Sequence, residues 1–159
     1  MKKIKESGSQ GAVFGFMEGV VMLMGVLIGL ATTGDKRIAV LGVLAAGVAD
    51  AFANTAGFHV SQESEGIYTQ KSIRLSTVWC FFATIAASIA VSIPLILLPL
   101  NSAIAVSFII AITTLVLIAM YVSKYHHVKG IRLIIEYVVI GVVAAIATHY
   151  IGKLITSLI

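Results

Sequence analysis

Long apolar runs broken by short polar ones organise this chain from one end to the other. Five runs are apolar and long enough, at about 20 residues each, to cross a hydrocarbon layer about 30 Å thick as helices. They cover about 12–33, 38–60, 75–98, 102–122 and 133–155. Gly34-Asp35-Lys36-Arg37 closes the first run, the polar segment Ser61 to Ile73 separates the second from the third, and Lys124 to Arg132 leads into the fifth. Pro94 and Pro99 mark a kink and a stop near the end of the third, because proline has no N–H to give a helix. The pattern predicts an all-α integral membrane protein, a single membrane domain over residues 1–159 with five transmembrane helices.

Composition agrees with the pattern. Hydrophobic residues make up 59% of the chain and charged ones 11%, against about 45–50% and about 25% in a soluble domain, so lipid and not water is its solvent. Five spans place the termini on opposite sides, and charge then decides the orientation. With the N-terminus inside, Lys2, Lys3, Lys5, Lys71, Arg74, Lys124, Lys129 and Arg132 are cytoplasmic, while Lys36, Arg37 and Lys153 are outside. That imbalance predicts a cytoplasmic N-terminus and an outside or lumenal C-terminus. The net charge of +4 is therefore an orientation signal and not a nucleic-acid-binding face.

The basic start, Met1 to Glu6, leads into an apolar stretch too long and glycine-rich for a cleaved signal peptide, and is read as retained. Cys80 lies alone inside an apolar run, which implies a small packing residue and no disulfide framework. An odd number of spans excludes a simple inverted duplication, so any symmetry partner is a second copy.

Small residues line the first two spans at helical spacing: Gly11, Gly15 and Gly19, then Gly25 and Gly29, then Gly47, Ala49, Ala53 and Gly57. In lipid such residues let helix backbones approach closely, and plain helix packing accounts for them. It does not account for Glu18 and Asp50. A carboxylate inside a span is costly and belongs in a bundle interior or a watered path. Glu18 lies 17 residues before Asp35, while Asp50 and Asn54 lie 15 and 19 after it, so the hairpin brings them to similar depths, within roughly one turn.

Asp50 and Asn54 share one helix face, as do Glu18 and Met22. Two carboxylates, an amide and a thioether can converge there as metal ligands, a mixture suited to Fe²⁺ or Mn²⁺ better than to the all-oxygen sites of Ca²⁺ or Mg²⁺. Met17 and Met24 are further sulfur donors or, more simply, core packing. The competing reading has the acids protonated and hydrogen-bonding between helices, in a non-transporting membrane scaffold that binds a partner. His59, Gln62, Glu63 and Glu65, just past the second span, are either a cytoplasmic site that first receives a cation or a solvated polar loop.

Elsewhere the chemistry is sparse. Adjacent His126 and His127 point about 100° apart on a helix and suit a shared metal poorly. Glu136 pairs with Arg132 one turn before it, and His149 belongs at the interface near the end of the fifth span. No nucleophile–base pairing and no HExxH spacing is present, so neither enzyme activity, catalytic residues nor a bound cofactor is expected.

At Gly15-Phe16-Met17-Glu18-Gly19-Val20-Val21 the chain resembles the vacuolar iron transporter family, whose first helix carries Gly-Ala-Asn-Asp-Gly-(Ile/Leu)-Val, with Glu18 in the Asp position. Thr55-Ala56-Gly57-Phe58-His59-Val60-Ser61 is similar to the family's Ala-Ala-Gly-Glu-Tyr-Val-Ser. Further likeness falls at Ala90-Val91-Ser92-Ile93-Pro94-Leu95 and Thr148-His149-Tyr150-Ile151-Gly152-Lys153. The resemblance implies a five-helix fold, a homodimer with its pathway between subunits, and export of Fe²⁺ or Mn²⁺ from the cytosol in exchange for protons. The membrane would be the cell membrane of a prokaryote or a vacuolar-type membrane of a eukaryote. Asn54 falls where the family has a methionine, Phe58 where it has a glutamate, and Ser61 to Ile73 is too short for the cytoplasmic metal-binding helices of many members.

Overall fold

The computed structural model describes residues 2–126 and 129–158, and it consists of α1 (Lys2–Ala31), α2 (Lys36–Glu65), α3 (Gln70–Leu97), α4 (Leu100–His126) and α5 (Gly130–Leu158). No strand occurs among the described residues. All five helices are long and apolar enough to cross a membrane, so the chain is an all-α, multi-pass membrane protein.

The helices outrun the apolar segments that foretell them. At 27–30 residues they are about 40–45 Å long, more than a bilayer core requires. The expected polar linker from 61 to 73 is mostly helix, with only 66–69 left as a turn. Apolar length measures contact with hydrocarbon, and a helix that has reached water continues at no desolvation cost until a cap ends it. Gly66 is that cap for α2, at φ 67, a left-handed conformation glycine adopts without strain. Thr69 then starts α3, its side chain accepting from the Ser72 amide at 3.3 Å.

At the other end of the bundle α1 stops at Ala31, two residues before the expected boundary, and Asp35 caps α2 by accepting from the Arg37 amide at 2.7 Å. Pro94 lies inside α3, which continues to Leu97; the stop expected at Pro99 falls one residue earlier, at the extended Leu98. The Pro99 carbonyl accepts from Ala103 at 2.8 Å and opens α4.

α1 is the central helix and packs on all four others, most extensively on α3; α2 packs mainly on α1 and α3, and α5 mainly on α1 and α4. Glycine sets the closeness of α1 to α3. A Cβ on Gly11 would stand 1.9 Å from the Ser76 carbonyl oxygen, and one on Gly15 2.3 Å from that of Cys80. Facing these glycines, α3 presents Ser72, Ser76, Cys80, Thr84, Ser88 and Ser92, a buried stripe at four-residue spacing. Its hydroxyls mostly turn back on the helix backbone, as Thr84 does to the Cys80 carbonyl (3.0 Å) and Ser88 to that of Thr84 (2.8 Å). Two apolar clusters complete the core. One joins Leu23, Leu27, Val43, Val91 and Leu95, and the other Val20, Met24, Ala87, Leu115 and Ala145.

The glycines of the first span are thus consumed by packing within the chain. Gly57 is different: nothing lies within 4 Å of where its Cβ would be. Gly11→Ala should therefore destabilise the bundle by about 1–3 kcal/mol through overpacking, whereas Gly57→Ala meets nothing within the same copy and should leave the fold of a single bundle within about 0.5 kcal/mol of the parent. Thermal unfolding of the purified variants in one detergent checks the pair.

Candidate functional site

Glu18 sits midway along the span of α1, on a face left open between α2 and α5, and its side chain is exposed. Phe14, one turn earlier, is also exposed and stacks on Phe58 of α2 with ring centroids 5.0 Å apart. Asp50 and Asn54 of α2 are half-buried against α1 and α3. The hairpin brings Glu18 and Asp50 within electrostatic reach of each other, as the count of residues from the turn implied. Asn54 lies beside Asp50, yet Asp50 Oδ2 and Asn54 Nδ2 are both buried atoms without a hydrogen-bond partner among the described residues.

Unsatisfied buried polar atoms are rare in folded proteins, and each asks for a missing partner. Here two of them occur four residues apart, next to a second carboxylate. Met22 follows Glu18 by one turn and is half-buried, lining the cleft between α1 and α5 with Gly25 and Gly29. Met24 is fully buried among apolar neighbours and Met17 packs on the same cluster, so both behave as core residues.

Side chains of α3, together with Thr55 of α2, complete the surroundings. Cys80 is buried with the Thr55 and Thr84 hydroxyls beside it, and Asp50 and Glu18 lie within electrostatic reach. Thr84 also donates to the Gly15 carbonyl at 3.2 Å, and Thr55 to that of Ala51 at 2.6 Å. None of these three was singled out as a site residue from the sequence, where Cys80 read as packing. The signal that would have found Cys80 and Thr84 is the four-residue stripe of α3, whose middle falls at the depth of the acids; Thr55 is on α2, next in sequence to Asn54. Among the described residues no three His, Cys, Asp or Glu side chains cluster closely enough to hold a metal ion. Within one copy of the chain, Glu18 and Asp50 are two carboxylates in electrostatic reach of each other.

On α2 the surface beside Asp50 is made of small residues. Ala45, Ala49, Ala53 and Gly57 are all exposed and repeat every four positions. The face matches the close-packing surfaces of membrane helices, and no other element of the chain covers it.

The four residues past the second span divide. Gln62 is only 2% exposed: its amide donates to Gln10 Oε1 at 3.1 Å, and its carbonyl accepts from the Ser76 hydroxyl. It joins α1, α2 and α3 and does not face water. His59 hydrogen-bonds Thr77 through Nδ1 at 2.9 Å, and its Nε2 lies 3.6 Å from Glu63. Glu63 also accepts from Gln70 at 3.3 Å, and Glu65 is exposed. Of the four, Glu63 and Glu65 are exposed and His59 is half-buried, while Gln62 is enclosed.

Arg132 pairs with Glu136 at 2.8 Å as expected, and His149 is half-buried with its ring edge-on to Tyr150. His127 and the side chain of His126 lie outside the described residues. No protein-family model, curated protein or solved structure matches the chain.

Gln62→Ala should cost about 1–3 kcal/mol, because it removes a buried amide that satisfies partners on two other helices. Glu65→Gln should stay within about 0.5 kcal/mol of the parent, as for other exposed positions. Unfolding of both variants in detergent makes the comparison. A Gln62→Ala protein of parental stability would return that residue to the candidates for receiving a cation.

Proposed function

We propose that this chain transports divalent transition-metal ions, Fe²⁺ or Mn²⁺, out of the cytosol in exchange for protons, and that it does so as a homodimer. The observation that carries the reading is the exposed Glu18 carboxylate in mid-span, within electrostatic reach of Asp50, whose Oδ2 is buried and lacks a hydrogen-bond partner among the described residues. A lone chain would leave Glu18 in contact with hydrocarbon, at a cost of at least about 2.5–3.5 kcal/mol for a charge near the bilayer centre. A second copy docked on the open α1 face and the small-residue face of α2 removes that cost. It also doubles the ligand set to two Glu18, two Asp50, two Asn54 and two Met22, where one copy alone falls short of a metal site.

The motif likeness to vacuolar iron transporters supports the same reading, with Glu18 in the position of that family's first-helix acid. Carboxylate and amide oxygens with a thioether match a borderline divalent ion. The acids serve exchange as well as binding: a carboxyl in a low-dielectric site holds a proton when no cation is near and releases it when one arrives, which couples the two flows. Asn54 in place of the family's methionine leaves Met22 as the sulfur donor, which weights the site toward oxygen ligands. With no separate metal-binding domain between α2 and α3, capture falls to His59, Glu63 and Glu65.

Two measurements test this. Glu18→Gln should abolish Fe²⁺ or Mn²⁺ uptake by proteoliposomes, with the purified protein still eluting as a dimer; undiminished uptake would remove Glu18 from the mechanism. Single cysteines at Ala49 or Ala53 should cross-link two copies in the membrane through an oxidant-formed disulfide, while one at Val143 on the lipid side of α5 should not. The non-transporting scaffold predicts, in contrast, no heat of binding when purified protein is titrated with either metal.

A further inference from the structure

At the end of the bundle opposite the N-terminus, the start of α2 and the end of α3 enclose a surface groove of about 610 Å³. Its mouth carries Lys36 and Arg37, and its walls are Val40, Leu41, Leu44 and Ile96. Lys36 Nζ donates to the Ile96 carbonyl at 3.2 Å, one of the carbonyls left free where α3 ends. That bond holds the ammonium across the gap between the two helices and leaves two of its three donors open. The Arg37 side chain is exposed and forms no ion pair among the described residues. The one carboxylate at the rim, Asp35, accepts from the Arg37 amide as the cap of α2, so the mouth has two cations against one anion.

Below the charges the walls are apolar and open to lipid. Leu41 is 72% exposed, Ile96 54% and Leu44 41%. Val40 and Leu44 lie one and two turns from Lys36, about 6–12 Å deeper along α2. The mouth therefore stands at the level of lipid headgroups, and the walls at the level of the upper acyl chains. We propose that this groove binds an anionic phospholipid, its phosphate held by Lys36 and Arg37 and an acyl chain laid along Val40, Leu44 and Ile96. A soluble phosphate would use the cations and leave the walls unused. A lipid uses both, and a cationic mouth at the membrane surface selects an anionic headgroup over a zwitterionic one. The inference is independent of what the bundle transports.

The test is lipid retention. Purified protein is placed in nanodiscs of phosphatidylcholine and phosphatidylglycerol, 3:1, then transferred to detergent, and the lipids still bound are counted by native mass spectrometry. The intact chain should retain phosphatidylglycerol in preference to phosphatidylcholine. Arg37→Gln should reduce that preference roughly fivefold and the double variant Lys36→Gln/Arg37→Gln further, at roughly fivefold for each cation removed. Leu44→Trp, which fills the groove and leaves its charge alone, should also lower retention, while Lys153→Gln outside the groove should not. Size-exclusion profiles matching the parent show that each variant is folded.

Equal retention of the two lipids by the intact chain would overturn the proposal, as would unchanged retention in Arg37→Gln. Displacement of the bound lipid by glycerol phosphate, with Leu44→Trp behaving as the parent, would make the mouth a site for free phosphate and also overturn it.

Discussion

The backbone of α1 lies directly against that of α3, and the rest of the bundle is arranged around that contact. In lipid there is no gain from hiding apolar side chains, so helices hold together by the closeness of their packing. Gly11 and Gly15 leave room for the carbonyls of Ser76 and Cys80 where any side chain would collide. In the facing stripe on α3, the hydroxyls of Ser76, Thr84 and Ser88 turn back to their own helix backbone and so cost little in a dry interface. With α1 fixed against α3, helices α2, α4 and α5 pack around the pair, and among the described residues a strip of α1 through Gln10, Phe14 and Glu18 stays exposed.

The acids owe their situation to that strip. Glu18 emerges on it, and Asp50 is carried beside it by a hairpin whose turn is set by Gly34 at φ 70 and the Asp35 cap. Had α2 and α5 closed over α1, Glu18 would be sealed inside the bundle, and neutral burial would be its simplest state. The open strip and the row of Ala45, Ala49, Ala53 and Gly57 next to it give the reading of a shared site its physical basis. The same geometry separates two kinds of glycine: those of α1 are spent within the chain, and Gly57 is not.

The five spans, their order and the depth pairing of Glu18 with Asp50 were all legible in the sequence, because each follows from one-dimensional spacing: apolar run length, or residues counted from a turn. What spacing does not encode is which face of a helix meets which neighbour. The glycine series of α1 looks the same in sequence whether it packs on α3 or on another copy. Gln62 looks like a surface residue until Gln10 and Ser76 arrive from two other helices to bury it. Helix ends lie beyond the apolar runs for a related reason: hydropathy locates the edge of the hydrocarbon, while Gly66 and Thr69 locate the edge of the helix.

The proline of α3 bears on how such a molecule can move. Pro94 deprives the helix of one internal bond, which often marks a flexing point, yet one turn away the Ser107 hydroxyl of α4 donates to the Val91 carbonyl at 2.8 Å and ties the weakened stretch to its neighbour. The segment that looks most like a hinge is stitched down, and Val91 and Leu95 on either side of it are buried against Leu23, Leu27 and Val43. On the proposed reading, alternation between inward and outward access would then fall to motion of whole helices or of one copy against another, and not to a bend at this proline.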